Sequence, residues 1–119
     1  MNLDQSLFAK AEVVSREIEL PDGSKQTFYF KPLSGADYAL TLSAFIGAGM
    51  EATHRADLYS VAIVKSLCNA DGTQFNPDGS PLLTLEKAKA LKPAVFTKFW
   101  NAVFELNFTE PDSPDQAKK

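Results

Sequence analysis

Two segments of alternating apolar and polar residues, joined by Pro-Asp-Gly-Ser, constrain the fold of this chain more than any other feature. Ile18 and Leu20 alternate with charged residues before the joint, and Phe28 and Phe30 alternate with Thr27 and its neighbours after it. Alternation with a period of two is typical of half-buried strands, and Asp-Gly tolerates the positive φ of a tight turn. Residues 12–31 are therefore predicted to form a β-hairpin.

Four helices are predicted after the hairpin. They span residues 35–46, 52–69, 85–91 and 93–107. Ser34, three residues ahead of Asp37, indicates a capping box, Thr84 can cap the third helix, and Pro93 suits a first helical turn. Gly47 and its neighbouring glycine separate the first two helices. The second helix carries apolar residues on nearly every side, which is typical of a central, buried helix.

Chain length and composition set the fold class. With 119 residues, 45% of them apolar, the chain is large enough for one hydrophobic core. We predict a single α+β domain over residues 1–108, with a short first helix and an N-terminal β-hairpin packed on a mainly helical remainder. Residues 70–81 are predicted to be a loop, with a small hairpin as an alternative, in which Phe75 is the only large anchor. Residues 109–119, with two prolines and no large apolar side chain, are predicted to be a disordered tail.

The charge, the apolar runs and the cysteine content disfavour several classes of protein. The net charge of −3 offers no basic surface for nucleic acid. No apolar run approaches the length of a membrane span, and the N-terminus lacks the pattern of a secretion signal. Cys68 is the single cysteine, so no intramolecular disulfide can form. A cytoplasmic protein that binds neither nucleic acid nor membrane is expected.

We find no pattern that indicates catalysis, a cofactor or a metal. His54 is the single histidine and has no catalytic partner at a recognisable spacing, so we interpret it as a surface residue. Cys68 lies in an apolar run and is interpreted as a core residue. Asp71, Asn76 and Asp78 lack the spacing of a calcium-binding loop and are interpreted as turn residues. The prediction is a protein without enzymatic activity, cofactor or metal.

The last helix carries more aromatic residues than a single core-facing stripe requires. Aromatic side chains dominate the hot spots of protein interfaces. The alternative is that the whole wide stripe faces the protein's own core. Residues 27–30 of the second strand also have aromatic side chains on both faces, and this strand is either an exposed edge or sandwiched between helices. The predicted protein-contact residues are Tyr29, Phe96, Phe99, Trp100, Phe104 and Phe108.

Four segments together suggest a family. They are Leu-Phe-Ala-Lys-Ala at residues 7–11, Ile-Glu-Leu-Pro-Asp-Gly at 18–23 with Phe-Tyr-Phe at 28–30, Leu-Cys-Asn-Ala-Asp-Gly at 67–72, and the segment 85–106. In their order and spacing they resemble the small tail assembly chaperones of long-tailed bacteriophages and prophages. The resemblance covers nearly the whole of the predicted domain.

This resemblance implies a role in virion morphogenesis. Such a chaperone coats the long, aggregation-prone tape measure protein, recruits tail tube subunits and is absent from the finished virion. It acts in the host cytoplasm and associates with copies of itself. In many such phages a ribosomal frameshift adds a C-terminal extension. The expected partners are therefore the tape measure protein, the tail tube protein and further copies of this chain.

Three other kinds of protein remain open at this point. A structural virion component, such as a minor tail or head–tail completion protein, would have a similar size and no catalytic residues. A small DNA-binding regulator would bind DNA, and this binding would be lost at high salt. A small enzyme would need a pocket around acids such as Glu51, Asp57 or Glu86.

Overall fold

A computed structural model of the chain describes residue 3 and residues 12–108, and its first regular element is the hairpin. Strands β1 (Val14–Glu19) and β2 (Lys25–Phe30) pair antiparallel. Ile18 and Phe30 are buried on one face of the hairpin. The predicted hairpin is confirmed, because the alternating apolar residues do turn one face towards the core.

Four helices follow, and their starts agree with the predictions. They are α1 (Gly35–Ile46), α2 (Ala52–Ser66), α3 (Leu85–Lys89) and α4 (Pro93–Phe108). The Ser34 hydroxyl accepts a hydrogen bond from the Asp37 backbone N–H at 3.2 Å, and Thr84 caps α3 through Lys87 N–H in the same way. These caps satisfy donors that a helix start leaves without an intrahelical partner.

The end of the second helix was predicted wrongly. The helix stops at Ser66, and a short strand β3 (Leu67–Cys68) follows. Lys31 N–H donates to Ser66 O at 2.9 Å, and the Ser66 hydroxyl donates to Lys31 O at 2.8 Å. This pairing with the end of β2 turns the chain out of the helix, although the apolar pattern of the sequence continues through Cys68.

A glutamine from the following loop stabilises that helix end. The side-chain nitrogen of Gln74 lies 3.0, 2.9 and 2.7 Å from the carbonyl oxygens of Val64, Lys65 and Leu67. Carbonyls in the last turn of a helix lack intrahelical donors. Gln74 therefore donates hydrogen bonds to the carbonyl groups at the end of α2, where the pattern of the sequence predicted that the helix continues.

The core lies between the sheet and the helices. The sheet has the order β1-β2-β3, and β2, α2 and α4 contribute the fully buried Phe30, Ile63 and Val103. Phe99 of α4 packs edge-on against Phe28 and Phe30, with ring centroids 4.8 and 5.8 Å apart. The fold is a single α+β domain, as predicted from the sequence.

Three five-residue turns in this fold share one geometry, a repeat that our reading of the sequence missed. In each turn a glycine adopts a φ near +89°, and an aspartate accepts hydrogen bonds from the backbone and hydroxyl of a serine or threonine two residues later. They are residues 20–24, 69–73 and 76–80. The last two lie seven residues apart as Asn-Ala-Asp-Gly-Thr and Asn-Pro-Asp-Gly-Ser. The predicted loop is thus two linked, ordered turns.

The aspartates of these turns have lowered pKa values. The Thr73 hydroxyl, and then its backbone N–H, hold the pKa of Asp71 below its ordinary value. The corresponding groups of Ser80 lower the pKa of Asp78, and those of Ser24 lower that of Asp22. A carboxyl group that accepts two hydrogen bonds is more stable in its charged form.

The predicted short first helix and the predicted disordered tail at residues 109–119 lie outside the described residues.

The prediction that Phe75 anchors the loop is wrong. Phe75, predicted to anchor residues 70–81, is 60% exposed. It does not anchor the loop because Asn69 and Asn76 hold the two turns through side-chain amide hydrogen bonds to Thr73 and Ser80.

The lowered pKa values predict how the turns respond to acid. Because the native pKa of Asp71 and Asp78 lies below the ordinary 3.8, their contribution to stability is complete above that pH and is lost as the pH falls through the native value. In urea unfolding, wild type should be more stable than the Asp71→Asn/Asp78→Asn variant at about pH 7, and the difference should shrink at about pH 3. Glu17→Gln, outside the turns, is the control. A difference that does not change with pH would contradict this assignment.

Candidate protein-binding surface

Helix α1 leaves several of its large apolar residues exposed. Its buried residues are Thr41 and Ala44, whereas Phe45 is 41% and Ile46 72% exposed. Burying a large apolar side chain stabilises a fold by about 1.5–3 kcal/mol, so most helices turn such residues inwards. The opposite arrangement leaves α1 with an apolar outer surface that the rest of the described chain does not cover.

The rings of three helices form one continuous cluster, which we call the aromatic surface. Its members are Tyr38 and Phe45 of α1, Tyr59 of α2, and Trp100, Phe104 and Phe108 of α4. The Phe45 ring lies 5.9 Å from those of Tyr59, Trp100 and Phe104, and 5.2 Å from that of Phe108. Phe45 is therefore the centre of the cluster.

Hydrogen bonds and ring stacking hold α1 and α4 together at one end of this surface. The Asn107 side chain accepts from Leu33 N–H at 2.9 Å, and its amide donates to Val103 O at 2.9 Å. The rings of Tyr38 and Phe108 stack at 4.8 Å. Asn107 thus fixes the entry into α1 against the last turns of α4.

Exposure varies across the aromatic surface in a way that suits binding. Trp100, Tyr59 and Phe108 are half-buried, while Phe104 at 37% and Phe45 are more exposed. Half-buried rings are held in position by the fold, so little side-chain entropy is lost when a partner covers them. The surface offers apolar contact area on a rigid support.

The structure separates the contact residues predicted from the sequence. Trp100, Phe104 and Phe108 lie together on the aromatic surface. Phe99 is only 4% exposed and belongs to the core, and Phe96, like Trp100 and Phe108, is partly buried against that core. Tyr29 lines a groove beside β2. The predicted set therefore includes three residues of the aromatic surface, the core residue Phe99, Phe96 beside the core and Tyr29 in the groove.

The part of the aromatic surface that α1 and α2 supply was not predicted from the sequence. Tyr38 and Phe45 lie seven residues apart, which places them on the same side of a helix. Asp37 is the only charged residue in α1. The low charge of α1 and the seven-residue spacing of its two rings are the signal in the sequence that could have indicated this part of the aromatic surface.

The described residues that could take part in catalysis or metal binding lie apart from one another. His54 is exposed in the first turn of α2. Cys68 is buried, and desolvation raises the pKa of its thiol, which disfavours the reactive thiolate. Within residue 3 and residues 12–108, no group of three or more histidines, cysteines or carboxylates could hold a metal ion. The same residues include no helix long and apolar enough to cross a bilayer.

Comparison with protein-family models, curated proteins and solved structures found no match to this sequence.

The separation of core and surface on α4 predicts different effects of two alanine substitutions. Phe99→Ala should lower the free energy of unfolding by about 3–5 kcal/mol, because it leaves a cavity between β2 and α4. Phe104→Ala should lower it by roughly 1 kcal/mol or less, because the ring is partly exposed and loses mainly ring contacts. Urea unfolding followed by circular dichroism measures both. Equal effects of the two substitutions would show that Phe104 belongs to the core.

Proposed function

We propose that this chain is a non-catalytic, protein-binding protein that acts as a phage tail assembly chaperone, as its sequence resemblance implies. In this role it covers apolar segments of the tape measure protein in the host cytoplasm, recruits tail tube subunits and is absent from the finished virion. The aromatic surface is the observation that carries the proposal. Large, contiguous exposed apolar surfaces on soluble domains mark sites of interaction with other proteins.

The aromatic surface suits a client that must later be released. Phe45 and Phe104 present apolar area without a charged residue between their rings, which lie 5.9 Å apart. Contacts of this kind are non-directional and tolerate many client sequences, since they depend on apolar area more than on specific hydrogen bonds. A holding protein needs this tolerance because its client offers different side chains along its length.

Self-association would use the same surface while no client is bound. The exposed rings of Phe45 and Phe104 lie outside the core around Phe30, Phe99 and Val103, so covering these two rings with a second copy or with a client leaves that core buried. Homo-oligomers in the absence of client, replaced by mixed complexes in its presence, follow from this arrangement.

Co-expression with a client tests the proposal. The chain is produced together with the long, tape measure-like protein encoded downstream of it, and soluble co-purification is measured by affinity capture and light scattering. Wild type should keep the client soluble in complexes with many copies of this chain. The Phe45→Asp/Phe104→Asp variant should lose at least about nine tenths of the captured client, because burying two unpaired carboxylates opposes contact.

Phe75→Asp provides the matched control. Phe75 is another exposed phenylalanine, but it lies in the loop between the linked turns and outside the aromatic surface. This variant should capture the client as well as wild type does. Equal loss in both variants, or an insoluble client beside a wild-type monomer, would contradict the proposal. Mass spectrometry that detects the chain in purified virions would favour a structural virion component instead.

A further inference from the structure

The chain contains three Asp-Gly pairs, and each occupies the same position in one of the three five-residue turns. In such a pair the glycine nitrogen can attack the aspartate side chain, because glycine has no side chain of its own to hinder the approach. The aspartate then isomerises to isoaspartate without any enzyme. The same reaction can therefore be compared at three places in one molecule. The pairs are Asp22-Gly23, Asp71-Gly72 and Asp78-Gly79.

The isomerisation proceeds through a cyclic imide. The glycine nitrogen forms a bond to the aspartate Cγ, and its proton leaves together with the carboxyl OH group as water. Water then adds to the main-chain carbonyl of the imide and breaks the original bond between that carbonyl and the glycine nitrogen. One water molecule is lost and one is regained, so the mass of the protein does not change. The product has one additional main-chain carbon in the turn.

Hydrogen bonds hold both reacting groups in all three turns. The glycine N–H donates to the carbonyl oxygen of the residue three positions earlier, at 2.8 Å for Gly23 and 2.9 Å for Gly72 and Gly79. One aspartate oxygen accepts from the backbone N–H and the hydroxyl of the residue two positions later. Ring closure turns the carboxyl group towards the glycine nitrogen and disrupts these bonds, so they oppose the reaction at each turn.

The first residue of the turn distinguishes the hairpin turn from the other two. Residues 20–24 are Leu-Pro-Asp-Gly-Ser and residues 76–80 are Asn-Pro-Asp-Gly-Ser, so these two turns differ at that residue alone. The Asn76 amide donates to the Ser80 hydroxyl oxygen at 3.0 Å and to Pro81 O at 3.1 Å. Leu20 has an apolar side chain and can form neither bond.

The asparagine amide fixes the hydroxyl that holds the aspartate. A serine hydroxyl has one proton and two lone pairs, so the amide of Asn76 can occupy a lone pair while the Ser80 proton is donated to Asp78 at 2.6 Å. Successive hydrogen bonds polarise and strengthen one another. The Ser24 hydroxyl lies at the same 2.6 Å from Asp22 without that support. The Asp22 carboxylate is therefore held less firmly.

The turn at residues 69–73 is held most firmly. The Asn69 amide donates to the Thr73 hydroxyl oxygen at 3.0 Å, as in the other asparagine turn. In addition, Gly72 is buried, whereas the corresponding glycines of the other two turns are exposed. The Lys31 amine donates to Gly72 O at 3.0 Å. This turn therefore combines the asparagine with a glycine that the surrounding fold encloses.

We propose that Asp22-Gly23 is a site of spontaneous isoaspartate formation in the native protein, and that Asn69 and Asn76 protect the other two Asp-Gly pairs. Asp22 reacts fastest, Asp78 more slowly and Asp71 slowest. Lys92 also attracts the Asp22 carboxylate, but it is the smallest of the influences on the pKa of that group and does not fix the Ser24 hydroxyl. The modification lies in the turn between β1 and β2, goes beyond the proposed function and does not depend on it.

Peptide mapping of the wild-type protein tests the order of the three rates. The protein is incubated at neutral pH and digested with trypsin, which releases Asp22 within residues 17–25 and the other two aspartates within residues 66–87. Mass spectrometry with electron-based fragmentation locates isoaspartate within each peptide. Asp22 should isomerise about threefold to tenfold faster than Asp78, which is the effect on a rate of one hydrogen bond of ordinary strength. Asp71 should isomerise more slowly than Asp78.

Exchange of the one residue that differs between two turns provides matched variants. Leu20→Asn supplies an amide beside Ser24 and should slow the reaction at Asp22 about threefold to tenfold. Asn76→Leu removes the amide from Ser80 and should accelerate the reaction at Asp78 by a similar factor. In each variant the two unchanged turns are internal controls and should keep their wild-type rates.

The comparison within the wild-type protein does not depend on how any variant folds. Equal rates at the three aspartates would overturn the proposal, because they would show that the reaction occurs from the unfolded chain. The proposal would also fail if Asp22 formed no isoaspartate in the folded protein while the urea-unfolded chain formed it over the same time. An unchanged rate at Asp22 in a Leu20→Asn variant with the wild-type circular dichroism spectrum would exclude the role of the asparagine.

Discussion

The packing of Phe99 against β2 is the interaction on which the rest of this structure depends. Its ring contacts both Phe28 and Phe30 edge-on, and it is almost fully buried. This contact fixes which side of α4 faces the sheet, and Val103, one helical turn later, extends the same buried side. Since residues in a helix are separated by about 100°, the directions of all other α4 side chains follow from that choice.

The aromatic surface is a consequence of this constraint. With Phe99 and Val103 directed inwards, Trp100 and Phe104 must project from the adjacent side of the helix. Helix α1 packs mainly on α2, with only Thr41 and Ala44 buried, and its Phe45 ring lies among the α4 rings. Helix α4 therefore contributes residues to the core and to the aromatic surface at once.

Much of the fold follows from local sequence. The parts that could not be predicted in this way depend on contacts between residues that are distant in the chain. The hairpin and the caps at Ser34 and Thr84 were predictable because turn residues and capping side chains act within a few positions. The end of α2 was not, because it depends on Lys31 and Gln74, which lie far from Ser66 in the chain or beyond a turn. The same limit explains the incomplete prediction of the candidate site. The pattern of α4 showed excess aromatic residues, but the choice of Phe99 for the core required the position of β2.

The outer edge of the sheet is covered by cationic side chains. On that edge of β1, Lys98 donates to Glu19 O and Arg16 donates to Ser15 O. Cationic side chains over a strand edge hinder pairing with another strand, and a sheet with two unprotected edges would favour open-ended association. The edge of β1 is therefore protected against association through the sheet.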